Sequence, residues 1–382
     1  MLLSTLEALR CPKQMARTRA EQNGRCHGDL TLRPQGGAPA RDVVSGTVEC
    51  LKCRAQYPIL GGVLILVADV GSYLLQHVKG ISKHVPDSEI PAKFRGEYLE
   101  AKEEIEQEHI EEDLEAERVI SLYLANHYLD TSGASWWQPG SPLMDSLIRE
   151  HWDRGPFFEI EKWFARGGRG EKEATKSTPG SSLKSVVELG CGVGGLFRKL
   201  SRHTDRYLGI DSSFASIALA RHLNLGAPYS GKTRIPEDLL RGPVTRDVKI
   251  AAPAQSGCQA DWIVADLDYP PLEHERWDCT IALNTIDMLD EPTDLPKLQA
   301  SLLKKGGVAI QSCPYIWHEA VAKKIRSRLP KDVRDSAGAV EWMYEKVGFS
   351  IQEKVDQLPW LFFKHLRQLE IYSVHMFFAV KP

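Results

Sequence analysis

Apolar runs of four to six residues, each ending on an acid or a polar side chain, recur through the second half of this chain. Val186-Val187-Glu188-Leu189, Arg206-Tyr207-Leu208-Gly209-Ile210 before Asp211, Trp262-Ile263-Val264-Ala265 before Asp266, and Trp277 to Thr285 with Asn284 near its end all read as strands. Helical spacing fills the gaps. Leu196 to Leu200 opens a helix after the first strand, and Pro296 to Lys305 predicts one closed by Gly306-Gly307 ahead of the strand Val308 to Ser312. Ala337 to Val347 predicts another helix, ended by Gly348. Strands around Ser350 to Val355 and Ile371 to Val380 complete the set. The alternation of seven such strands with helices predicts an α/β fold with a doubly wound sheet.

The first half follows other rules. Tyr57 to Val70 is the most apolar stretch, too short to span a bilayer and broken by Gly61-Gly62. Glu97 to Leu124 carries Tyr98, Ile105, Ile110, Leu114, Ile120 and Tyr123 among many acids, the pattern of a solvated helix. Met144 to Phe164 is helical in pattern, and the loop before it holds Trp136 and Trp137. Gly167 to Ser185 and Arg241 to Ala260 are rich in Gly, Ser, Pro and Lys and read as loops.

Between the first strand and its helix lie Gly190, Gly192 and Gly194. Residues without a Cβ take the angles of a tight strand-to-helix turn and let a ligand approach the main chain. In a doubly wound sheet that turn sits at the carboxyl ends of the strands, where ligands bind. Asp211 follows the first glycine by about twenty residues, the placement of an acid that accepts from ribose hydroxyls. Gly190, Gly192 and Gly195 also satisfy the dinucleotide pattern G-x-G-x-x-G. Two features separate the readings: a pyrophosphate gains nothing from the charge of Glu188, whereas an amino group does, and Asp266 stands where a carboxylate accepts from an adenine amino group.

Glu188, the glycines, Asp211, Asp266 and Asn284, in that order, resemble the class I S-adenosylmethionine-dependent methyltransferase family over roughly the last two hundred residues. The resemblance implies a Rossmann-like methyltransferase sheet. It also implies that Glu188 orients the methionine moiety, that Asp211 with Ser212 meets the ribose, and that Asp266 meets the adenine. Leu267 and Asn284 would line the same pocket.

Near the amino terminus, Cys11-Pro12, Cys26 and the pair Cys50-Leu51-Lys52-Cys53 offer four thiolates, and a Cys-x-x-Cys knuckle with a distant second pair is the pattern of tetrahedral zinc. With Tyr57-Pro58-Ile59 and Gly62-Val63 they resemble the small zinc-ribbon family that includes the activator subunit of translation-related methyltransferases. Gln14 stands where that family has its second cysteine, and an insertion would move this ligand to Cys26. His27 is the poorer alternative. The expected organisation is a zinc-ribbon-like domain over 1–70, a helical connector over 71–180 and a methyltransferase domain over 181–382.

The chain has 382 residues and a net charge of −3, which argues against a nucleic-acid footprint. Lys323, Lys324, Arg326, Arg328, Lys331 and Arg334 form one local basic cluster, read as an exposed helix face. Eight cysteines, half of them in the proposed ribbon, point to a reducing cytosol and not to a disulfide framework. Cys191, Cys258, Cys279 and Cys313 read as small buried or loop residues. No secretory leader is evident, and the expected location is cytoplasmic.

The fourth strand ends in Asn284-Thr285-Ile286-Asp287, without the Asn-Pro-Pro-Tyr box of enzymes that methylate adenine or amide nitrogens. Ser312-Cys313-Pro314-Tyr315-Ile316-Trp317 and the Pro359-Trp360 to Arg367 tail resemble the methyltransferase portions of enzymes acting on histidine-derived thiol metabolites, such as ovothiol synthases. That implies a small polar acceptor, with Tyr315, Trp317 and Trp360 as walls, Arg367 as a carboxylate anchor, and His318 or His365 as a candidate base. Two other functions compete: methylation of a tRNA or translation factor, and a cofactor-binding scaffold whose ribbon docks a protein partner.

Overall fold

The computed structural model describes residues 1–14, 24–33, 42–108, 120–128, 142–168, 183–226, 228–238, 242–268, 270–365 and 368–382. The first strands, β1 (Leu30–Leu32), β2 (Gly46–Cys50), β3 (Gln56–Leu60) and β4 (Val63–Leu64), form a small antiparallel sheet in sequence order. Gly61 and Gly62 both take positive φ to turn β3 into β4. Tyr57, Ile59, Leu60, Val63 and Leu64 are all buried, so both faces of β3 and β4 are covered.

Helices α1 (Val70–Gln76), α2 (Val78–Ser82) and α3 (Ala92–Glu108) follow, then α4 (residues 120–128), α5 (Pro142–Arg154) and α6 (Pro156–Ala165). The helical stretch expected over Met144 to Phe164 is two helices because Gly155 turns extended at φ −77° and ψ 179°, at a place where a Cβ would lie 2.2 Å from the His151 carbonyl oxygen. Pro156 then starts α6. Of the helix expected over Glu97 to Leu124, residues 109–119 lie outside the described residues, as do Trp136 and Trp137. No helix among the described residues is long and apolar enough to cross a membrane.

From here strands and helices alternate. They are β5 (Ser185–Leu189), α7 (Leu196–Leu200), β6 (Arg206–Asp211), α8 (Phe214–Asn224), β7 (Tyr229–Asp238), β8 (Gly242–Ile250), β9 (Gln259–Val264) and β10 (Trp277–Leu283). After them come α9 (Asp294–Leu302), β11 (Leu303–Cys313), α10 (Glu319–Arg328), α11 (Ser336–Lys346), β12 (Ser350–His365) and β13 (Gln368–Val380). The main sheet has seven strands in the order β12-β13-β11-β10-β5-β6-β9, and β13 runs against its neighbours. This is the doubly wound, Rossmann-like sheet expected, with the small β-rich sheet preceding it.

Three local expectations need correction. Part of the loop expected over Arg241 to Ala260 is β8, paired with β7 from Tyr229↔Ile250 to Ile235↔Val244; the alternation of Val244, Val248 and Ile250 is that of a strand. Helix α9 stops at Leu302, and Gly306-Gly307 lie inside β11, where the Gly306 amide donates to the Lys381 carbonyl. The final hairpin is much longer than expected, with pairs as far out as His365↔Gln368. Its outer half packs against α5 and α6, so tertiary contact extends strands that local pattern ended early.

The two sheets join at an edge. Beyond β4, Ile65 pairs in parallel with Val264 of β9, and the Leu66 amide donates to the Val264 carbonyl at 2.9 Å. This covers the edge strand that would otherwise present unpaired backbone groups. Arg221 of α8 lies beneath the junction. It is bonded to Asp261 and, at 2.9 Å, to Asp42, while Asp261 also accepts from the Leu2 amide and the Thr5 hydroxyl.

Candidate cofactor site and cysteine cluster

At the carboxyl end of β5, Gly190, Gly192 and Gly194 all have positive φ, at 77°, 52° and 73°. A Cβ at Gly190 would meet the Thr285 hydroxyl at 2.7 Å, so the glycine also lets the end of β10 approach. Asp211, at the end of β6, accepts from the Gly192 amide at 2.9 Å and from the Ser213 amide at 2.9 Å. Those bonds fix the carboxylate and leave each oxygen a further lone pair for hydroxyl donors. Ser212 beside it is exposed, and its carbonyl accepts from the Tyr73 hydroxyl at 2.7 Å.

Asp266 is exposed just past β9, held by an accepted bond from the Asp268 amide at 2.9 Å, with half-buried Leu267 next to it. Asn284 closes β10 in the left-handed region at φ 51°, a conformation asparagine tolerates, and its side-chain oxygen lies 3.5 Å from the Ser312 hydroxyl. These groups and the glycine turn face one end of the sheet.

Glu188 differs from the other acids. It is 2 % exposed and accepts a hydrogen bond from the Tyr207 hydroxyl on the next strand. Burial pushes its carboxyl up to about 8, the Tyr207 bond opposes that shift, and the charge of Asp211 adds to it. A cationic group placed beside Glu188 would favour the charged carboxylate again.

Sequence reasoning missed the roof over this turn. Tyr123 and His127, four residues apart on α4, share one helix face. The Gly195 amide donates to His127 Nδ1 at 3.1 Å, and a Cβ on Gly192 would lie 3.7 Å from His127 Cε1 and 3.9 Å from Tyr123 Cδ1. His127 is 8 % exposed, packed by Phe157 and Trp360 at ring distances of 5.2 and 6.0 Å. Burial lowers its imidazole to about 3, so it is neutral. The i, i+4 spacing of Tyr123 and His127 was legible; the object their face covers was not.

A second group lies beyond Asn284. Tyr123 packs edge-on against Phe362 of β12 at 6.1 Å, and Phe362 against Tyr372 of β13 at 5.3 Å. The Tyr372 hydroxyl donates to Glu370 at 2.9 Å, and Asp287 accepts from the Ile316 amide at 2.8 Å. Tyr315, at φ 61°, bonds through its hydroxyl to His375 Nδ1 at 2.7 Å, and its ring stacks on Trp317 at 5.8 Å. Trp360 is only 3 % exposed, wedged among His127, His151 and Phe157, so little of it faces open space. Arg367 lies outside the described residues, and the side chain of His365 is likewise not described. His318 is exposed just before α10, whose Lys324 and Arg328 pair with Glu291.

At the amino terminus the sulfurs of Cys11, Cys26, Cys50 and Cys53 all lie within 4.8 Å of one another. The Cys11–Cys53 and Cys26–Cys50 pairs are 3.6 and 3.5 Å apart. Four sulfurs about 2.3 Å from one tetrahedral ion would be separated by about 3.8 Å, so this donor set fits zinc. Cys26 thus joins Cys11 although twelve or more residues replace the usual short knuckle. Tyr57 lies with its hydroxyl 2.9 Å from Cys11, and a Cβ on Gly28 would strike the Cys50 sulfur at 2.7 Å. His27 is not part of the cluster.

Residues 168–354, which include the glycine turn, Asp211, Asp266 and Asn284, match the family profile described as a methyltransferase domain. No curated protein sequence matches the chain. Among solved structures, magnesium protoporphyrin IX methyltransferase from Synechocystis with bound S-adenosylmethionine is similar at 15% identity and a TM-score of 0.37, over 70% of this chain and 97% of that one. A Haloferax volcanii complex between a methyltransferase activator and a candidate methyltransferase is similar at 18% identity and a TM-score of 0.35, over 60% of this chain and 99% of that one. A Methanosarcina mazei methyltransferase gives 13%, 0.36, 52% and 93% for the same quantities. Likeness at these levels carries nothing about substrate.

A doubly wound sheet with a glycine turn and acids at its strand ends defines a nucleoside-cofactor fold of the Rossmann-like class. With the methyltransferase domain matched over residues 168–354, the protein is a methyltransferase enzyme built on that sheet.

Proposed function

We infer that this enzyme methylates a nitrogen or sulfur of a small polar acceptor. S-adenosylmethionine supplies, when bound, a methyl group on a sulfonium, already an electrophile. The chain's own residues hold and align. Asp211 accepts from the ribose hydroxyls, Asp266 with Leu267 receives the adenine, and Glu188 takes the amino group of the methionine moiety. Asn284 and Tyr123 lie between those contacts and the acceptor.

The reading is carried by the aromatic row in which Tyr123, Phe362 and Tyr372 pack in series, with the Asp287 and Glu370 carboxylates near Tyr372. Its aromatic walls exclude water and its carboxylates suit an acceptor bearing N–H or cationic groups, as a small imidazole or amine does. The cysteine cluster is assigned to one structural zinc, which would tie β1, β2 and the Cys11 segment together. Docked on the edge of the main sheet, the small sheet serves as a support for the methyltransferase domain in the same chain.

The test is methyl transfer from radiolabelled S-adenosylmethionine into a desalted extract split into small-molecule, RNA and protein fractions. Label in the small-molecule fraction, and turnover with imidazole or thiol compounds, is expected. Label confined to RNA or protein would overturn the acceptor assignment in favour of a translation component. Binding of NAD without S-adenosylhomocysteine would overturn the cofactor placement.

A further inference from the structure

His127 is a buried polar side chain with one ring nitrogen committed and the other, among the described residues, unpartnered. The Gly195 amide, which keeps its proton, donates to Nδ1 at 3.1 Å. The neutral ring therefore carries its hydrogen on Nε2. That nitrogen would lie 4.0 Å from a Cβ on Gly192, and among the described residues no bond is formed to it.

Several neighbouring donors are already engaged. The Tyr207 hydroxyl bonds Glu188, that of Tyr128 bonds the Val193 carbonyl, that of Tyr73 bonds the Ser212 carbonyl, and the Asn224 amide bonds the Gly194 carbonyl. Of the side chains that remain for a ligand at the turn, Glu188 and Asp211 are acids, and the donors beside His127 are the Tyr123 hydroxyl and the Asn284 amide. An amino-acid moiety lying there brings an ammonium, which Glu188 can match, and a carboxylate, which the acids cannot.

We propose that His127 donates its Nε2–H to the carboxylate of the cofactor's methionine moiety and so selects the intact cofactor over its adenosyl fragment; this rests on the cofactor placement above. A role as proton acceptor is ruled out by the same geometry. A second proton would have to enter at Nδ1, against the Gly195 N–H, inside an aromatic enclosure of Phe157 and Trp360.

The test is calorimetric titration of the full chain with S-adenosylhomocysteine, its decarboxylated analogue and 5′-methylthioadenosine. Wild type should bind S-adenosylhomocysteine about tenfold or more tighter than the decarboxylated analogue, the value of a hydrogen bond to a charged group. His127→Phe should lose that same factor for S-adenosylhomocysteine while binding methylthioadenosine within about twofold of wild type. Equal affinity of wild type for the homocysteine ligand and its decarboxylated analogue overturns the proposal, and it does so whether or not the variant folds. Equal weakening of S-adenosylhomocysteine and methylthioadenosine in a folded variant also overturns it, since a purely structural histidine would act that way. Failure of wild type to bind any of the three ligands instead overturns the cofactor placement itself.

Discussion

Gly195→Ala tests whether α4 is seated on the glycine turn, because one methyl group there has nowhere to go. The backbone of Gly195 is at φ −67° and ψ −33°, which any residue adopts, so the substitution carries no conformational strain. Its Cβ, however, would lie 2.4 Å from His127 Cβ, 2.8 Å from the His127 carbonyl oxygen and 2.9 Å from Cγ. Carbon atoms in contact settle at about 3.5–4.0 Å, so α4 must withdraw by roughly an ångström. Overpacking of that size costs about 1–3 kcal/mol. Loss of the amide bond to Nδ1 adds about 1 kcal/mol. The expected total is about 2–4 kcal/mol, read as a lower urea midpoint at unchanged slope. S-adenosylhomocysteine affinity should fall as well, because the roof moves with α4. Gly96 in α3 is the control: a Cβ there meets nothing within 4 Å, and alanine should stabilise by about 0.5–1 kcal/mol. A Gly195→Ala protein within about 1 kcal/mol of wild type, with unchanged ligand affinity, would refute the packing of α4 described here.

Three further outcomes follow from buried charge and sulfur. Arg221→Met should destabilise by about 3–5 kcal/mol, because it leaves Asp261 buried without its cation; a loss under about 1 kcal/mol in denaturant unfolding would show that the pair is dispensable. Cys50→Ser should lower bound zinc and the Tm together, and a full complement of zinc by elemental analysis would remove Cys50 from the ligand set. For Glu188 the folded carboxyl titrates near 8 against 4.5 when free. Between those values the folded state holds a proton the unfolded state has lost, so stability falls as pH rises, by up to about 1.4 kcal/mol per unit. Glu188→Gln should remove this contribution, so that between pH 5.5 and 7.5 the variant gains on wild type; parallel stability curves for the two proteins would refute the buried acid.

Local pattern was enough to determine the strands β5, β6, β9 and β10, the turn between β5 and α7, and the acids at the strand ends. Each of these depends on neighbours a few residues apart: an apolar run long enough to be buried, glycines where φ must be positive, a carboxylate where the run stops. The four cysteines were also legible as a set, since thiolates at those positions have few other uses. Only the tertiary structure decided what meets what. Gly195 and His127 are 68 residues apart in sequence, and no local feature of α4 says that its Tyr123–His127 face covers the glycine turn. The same holds for Arg221 with Asp42 and Asp261, for the outer half of the β12–β13 hairpin against α5 and α6, and for Cys26 beside Cys11 across an insertion. A periodic pattern fixes which face of an element must be buried; which other element buries it is set by sheet order and by shape, and neither exists until the chain has closed on itself.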